Sequence, residues 1–152
     1  MITFLEGSGF LGTHASLRAD LSLVLIIMTA VLFTIGWRLA VGRKYGAHQT
    51  IQNLAVGLNA LVVLLTMLGI FIRNYLPAIP GGLNNRLIAL ITIHAVAGTL
   101  GLLYGVYVTL AADKILPVKL RYKKFKPVMR ISYALYLLLT LSGTGLYLSL
   151  YV

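Results

Sequence analysis

The chain has no cysteine. That excludes disulfides, thiolate metal sites and cysteine-based copper handling, and it leaves the redox compartment open. Acidic residues are almost as scarce: three Asp and Glu in 152 residues, against 13 Lys and Arg. None of the three sits inside an apolar run, so paired carboxylates for acid–base hydrolysis are missing. No Ser-His-Asp set stands out, and no glycine-rich phosphate loop follows a strand pattern. The expectation is a protein that is not an enzyme. The first residues lack a basic n-region, and Glu6 and several glycines interrupt their apolar character, so the pattern of a cleavable signal peptide is absent.

What fills the sequence instead is apolar. Hydrophobic residues make up 59% and mean hydropathy is +0.92, well outside the soluble globular range. A soluble protein of this size needs many more charges to cover its surface, so most of this surface is expected to face lipid. The net charge of +10 suggests nucleic acid at first sight. No soluble domain exists to carry that activity, and basic residues of membrane proteins collect in cytoplasmic loops against anionic headgroups. Lipid headgroups, not nucleic acid, are the expected partners of the charge.

Hydrophobic runs place four spans at about 21–41, 51–75, 87–112 and 131–152, joined by short connections that predict antiparallel neighbours. The fold class is therefore all-α: an integral membrane four-helix up-down bundle in a single domain. Asp20 is placed to cap the first span, and Asn84 or Asn85 the third. Phe4, Leu5, Phe10 and Leu11 suit an interface. Pro77, Pro80, Gly81 and Gly82 make a connection that is not helical throughout. Loops 42–50 and 113–130 are basic; ten of the 13 Lys and Arg lie with them and only Arg18, Arg73 and Arg86 lie opposite. That asymmetry puts both basic loops in the cytoplasm and both termini outside.

The topology sorts the three histidines. His94 stands about 10 Å inside the third span, and Ala97, Gly98 and Gly101 share its side of the helix. A neutral imidazole beside small residues suits axial ligation of a heme or chlorophyll-type tetrapyrrole. A hydrogen bond to a neighbouring helix, through Asn59 or a threonine, explains the same residue without a cofactor, and Ala97, Gly101 and Gly105 also form a small-xxx-small packing seam. No second histidine shares that depth, so a bis-His heme across two helices is disfavoured. His14 lies outside, close enough to join His94 only if the amino terminus folds back. His48 lies at the opposite mouth and reads as a solvated or partner-contacting residue. No three-His metal site is expected, and no cofactor is required by the residues themselves. Asn59 reads as helix glue.

GTHASLRADL before the first span, the HQTIQN segment, the LITIHAVAGTLGLLYGVYV span and the closing RISYALYLLLTLSGTGLYLSLYV together resemble the domain of unknown function 420 family, over nearly the whole chain. The resemblance implies a bacterial cytoplasmic-membrane, multi-pass accessory protein for maturation of heme–copper terminal oxidases, with oxidase subunits as partners. It also implies histidines opening span two, within span three and in the basic segment before span four. His48 and His94 match the first two; Phe125 or a neighbour stands in the third place. The alternative for a chain lacking that third histidine is a small structural subunit of a respiratory or photosynthetic electron-transport complex, with His94 as the ligand of one heme or chlorophyll-type pigment.

Overall fold

The computed structural model describes residues 7–152. The expected positions of Phe4 and Leu5 fall outside them. The described residues form no strand, only an isolated bridge between Ser8 and Ser16. Four helices are long and apolar enough to cross a membrane: α1 Leu17–Val41, α2 Tyr45–Gly82, α3 Arg86–Ala112 and α4 Phe125–Tyr151.

They pack in cyclic order, α1 on α2 and α4, α3 on α4 and α2. Every neighbouring pair is antiparallel. Ser22 meets Thr66 while Gly36 meets His48 along α1 and α2, and Asp20 meets Tyr147 while Thr34 meets Tyr133 along α1 and α4. Buried residues gather in two clusters. Phe33, Ala55, Val56 and Tyr136 form one; Ala15, Ala19 and Tyr147 form the other. Large apolar side chains point outward instead, with Leu65, Leu100, Leu138 and Leu141 each more than 60% exposed. Threonines are accommodated inside apolar helices by returning their hydroxyls to the carbonyl four residues earlier, as at Thr29, Thr34, Thr92 and Thr140.

Helix ends differ from the apolar runs in a consistent direction. α1 begins at Leu17, not 21, and its cap is Ser16, whose Oγ accepts from Ala19 N; the expectation that Asp20 caps it is corrected. α2 begins at Tyr45, not 51, so the first basic loop shrinks to Gly42–Lys44 and His48 is helical. α4 begins at Phe125, not 131, with Pro127 in its first turn, where the missing N–H costs nothing. Polar residues prolong these helices beyond the apolar stretch because backbone hydrogen bonding does not stop where hydropathy does. Asn85 caps α3, its Oδ1 accepting from Leu87 N at 2.9 Å.

α2 is not uniform. Val63–Met67 and Phe71–Tyr75 are π-helical turns, closed by Leu68 N–H on Val63 O and Leu76 N–H on Phe71 O. Beyond them Pro80 and Gly81 leave helical geometry, Gly81 with a φ of +86° that glycine adopts without strain.

Candidate functional site: an apolar cavity at His94

Between the two core clusters lies a cavity of about 480 Å³, within the size range of small-molecule sites. All four helices line it. Ser22 and Ile26 come from α1, Asn59, Met67 and Phe71 from α2, His94, Gly98 and Thr99 from α3, and Tyr136, Thr140 and Gly143 from α4. Both π turns of α2 contribute lining residues. A π turn widens the helix and redirects side chains, and such turns occur frequently at functional sites.

His94 is fixed by α4. Its Nδ1 lies 2.9 Å from Ser142 Oγ. The Ser142 hydroxyl donates to Leu139 O, so it accepts from His94, and the ring proton resides on Nδ1. Nε2 is then the basic nitrogen, and it has no hydrogen-bond partner among the described residues. The Cε1–Nε2 edge lies over Gly143, where an added Cβ would stand 3.1 Å from Cε1 and 3.3 Å from Nε2. The neighbour of His94 is thus neither Asn59 nor a threonine. It is the small-residue patch Ser142–Gly145 of the last helix.

The small residues of α3 divide into two roles. Gly98 lines the cavity, and a Cβ there would meet nothing within 4 Å. Gly101 and Gly105 face α4; a Cβ would stand 2.5 Å from Leu139 Cδ1 at one and 2.1 Å from Tyr136 Oη at the other. Those two glycines form the packing seam. Ala97 is half-buried and is not among the lining residues. Asn59 is buried and its amide donates to Tyr136 Oη at 3.5 Å, which brings it to the cavity as well as to the helix contact.

Residues 7–16 do fold back. They form a strap across one end of the bundle, and the buried carboxylate of Asp20 holds it: Oδ2 accepts from Phe10 N at 2.7 Å and Leu11 N at 2.8 Å, while Tyr147 Oη donates to Oδ1. Thr13 then donates to Tyr147 Oη at 2.8 Å. Gly9 permits this approach, since a Cβ there would lie 2.3 Å from Asp20 Oδ2. His14 is carried along, its backbone N–H on Tyr151 O, but its side chain is exposed and does not reach the cavity. No group of three metal-ligating side chains exists among the described residues.

At the opposite end His48 joins α2 to α1, its Nδ1 donating to Gly36 O at 2.8 Å. The rest of HQTIQN serves the same end. Gln52 lies against Gly36, and Gln49 and Asn53 donate to the two oxygens of Asp113 at 2.7 and 2.6 Å. The basic segment folds back on α3, with Tyr107 Oη on Leu120 O and Tyr122 Oη on Val108 O. Tyr122 packs edge-on against Tyr107 and Phe125. Desolvation first, then Tyr107, Tyr104 and Asp113 nearby, push its phenol from 10.0 up to about 12. The folded state therefore holds this proton more tightly than the unfolded chain. Its stabilising effect is complete below pH 10 and is lost as pH rises toward 12. Tyrosinate absorbance should show one phenol fewer titrating near the upper value in Tyr122→Phe, and alkaline unfolding of that variant should lose steepness over the same window.

Nothing among the family models, the curated proteins or the solved structures matches this chain.

Proposed function

We propose that this chain is a multi-pass membrane accessory protein that receives a heme-type macrocycle at His94 and serves the maturation of a heme–copper terminal oxidase. Both termini lie on the extracytoplasmic side of a bacterial cytoplasmic membrane, and the basic loops lie inside against anionic headgroups. The observation that carries the ligand is the state of His94: an imidazole with Nδ1–H engaged by Ser142 and a lone pair on Nε2, lining an apolar cavity. A hydrogen bond donated by the other ring nitrogen fixes the tautomer and ring orientation of a ligating histidine. The cavity volume, its apolar walls and the open space over Gly98 fit a flat macrocycle. His94 would hold the iron, and Gly98 and Gly143 would leave room beside it. A bound heme would supply the redox iron that an oxidase needs; the chain would supply His94 and a largely apolar cavity, which suits holding a group that is later released.

The oxidase part of this reading rests on the resemblance of the span carrying His94 and the segment opening with His48. A second reading, a permanent small subunit of an electron-transport complex, is favoured by one observation: His48, Gln49 and Asn53 are engaged in closing the bundle, which makes the shared histidine structural at that end.

Titration of the purified protein with ferric heme should give a Soret shift of axial imidazole ligation, and His94→Ala should abolish it while leaving the helical signal intact. An identical shift in His94→Ala would remove the ligand assignment. Co-purification at fixed stoichiometry with a finished oxidase would favour the subunit reading over the accessory one.

A further inference from the structure

The cavity at His94 is walled at both ends and open on one side. At the strap end the lining residues Ala19 and Tyr147 are buried, and toward the other end Asn59 and Tyr136 are buried. None of the lining residues on α1 or α4 is exposed. Those that reach the surface are Leu68 of α2 and Val96, Thr99 and Leu100 of α3. Val96 and Leu100 are 56% and 62% exposed.

These four residues share one seam. α2 packs on α3 mainly through Tyr45–Val62 and again through Phe71–Tyr75. The stretch between holds the first π turn, which closes at Leu68. The rim there is apolar. Three of its four side chains are aliphatic, and the Thr99 hydroxyl proton is committed to Ala95 O at 2.9 Å. A polar solute leaving water at this rim would lose hydrogen bonds without replacement. The opening also lies deep. Val96 to Leu100 stand about 15 to 21 Å along α3 from Arg86, near the middle of a helix of 27 residues. In a bilayer with a hydrocarbon layer about 30 Å thick, that level is occupied by acyl chains.

We propose that the His94 cavity is filled from the side, between Leu68 and the Val96–Leu100 stretch, so that the site takes a ligand already dissolved in the membrane. The proposal deepens the heme reading and rests on it: the macrocycle arrives from the lipid phase, and neither the strap nor the basic loops lie on its path. Such a route selects lipophilic ligands before His94 contributes, since a molecule confined to water does not reach the rim. It also has a kinetic signature. Narrowing the path raises one barrier without touching the free or the bound state, so entry and exit slow alike and affinity stays the same.

The test uses the full chain in phosphatidylcholine nanodiscs with ferric heme. Stopped-flow Soret absorbance gives association, and transfer to an excess of a heme-scavenging globin gives dissociation. The chain has no cysteine, so Leu68→Cys and Leu100→Cys introduce the only thiols, on opposite rims. Capping both with benzyl methanethiosulfonate should slow association and dissociation together by about tenfold, with affinity and Soret position unchanged. Reduction should restore both rates. Leu100→Trp narrows the same rim without thiol chemistry and should slow both rates too, which keeps the test decisive if the double variant does not fold. A capped His14→Cys on the strap should change neither rate. Unchanged rates in the capped variant and in Leu100→Trp, with a His94-dependent Soret band, overturn side entry and leave the heme reading standing. Slowing by the strap cap in their place puts the entry at the aqueous end and also overturns it. A loss of affinity with association unaffected makes the rim part of the binding wall, which overturns it as well. Absence of a Soret shift in wild type overturns both readings.

Discussion

Gly105→Ala is expected to destabilise the bundle by about 3 kcal/mol, the upper part of the overpacking range. The new methyl carbon would stand 2.1 Å from Tyr136 Oη and within 3.0 Å of its ring carbons. Tyr136 has no easy retreat. It is buried, stacked on Phe33 at 4.1 Å, and its hydroxyl accepts from Asn59. The clash therefore spreads into the cluster of Phe33, Ala55 and Val56, and either α3 separates from α4 or the stack breaks. Thermal unfolding in detergent measures the loss. Combining it with Tyr136→Phe removes the nearest atom but not the ring, so the double variant should regain part of the loss, and the cycle isolates the coupling. Unchanged stability of Gly105→Ala would show that α3 and α4 do not meet at this seam.

Asp20→Ala should release the strap. The substitution leaves Phe10 N–H, Leu11 N–H and the Tyr147 hydroxyl without their acceptor. Stranded donors of this kind, one of them in a buried contact, make a loss of about 3 kcal/mol the expected scale. Asp20→Asn keeps an acceptor oxygen and should lose less. The local readout is more telling than the global one. Hydrogen exchange at Phe10 and Leu11 should rise to the rate of unprotected amides, while protection deep in α1 and α4 falls only as far as global stability does. Amides of Phe10 and Leu11 that stay protected in Asp20→Ala would refute the clasp.

Much of the architecture is legible in the sequence because it follows from length and hydropathy. Four apolar runs and three short connections leave few arrangements besides an antiparallel bundle. The site is legible only in part. His94 is conspicuous as a titratable ring in an uncharged 26-residue run, and the split of its small neighbours is not: Gly98 and Gly101 look alike until α4 is placed against one of them. Ser142 as the partner of His94, and Tyr147 as the partner of Asp20, depend on register between helices far apart in the chain, which no local pattern encodes. HQTIQN misleads for a different reason. Its polar residues suggest a loop, yet they are helical, and His48 and Gln52 meet Gly36 while Gln49 and Asn53 meet Asp113. The π turns of α2 were invisible, since no proline or unusual composition marks 63–75.

Both described carboxylates, Asp20 and Asp113, face amides and a phenol and hydrogen-bond to no basic side chain. They staple opposite ends of the bundle, and by number alone they offset little of the charge of 13 lysines and arginines. The field outside the protein is accordingly that of cations with few counterions of its own. Dissolved salt screens exposed charge over about 10 Å at 0.1 M and barely touches short contacts inside. Ionic strength thus bears on what this surface attracts long before it bears on how the chain is folded.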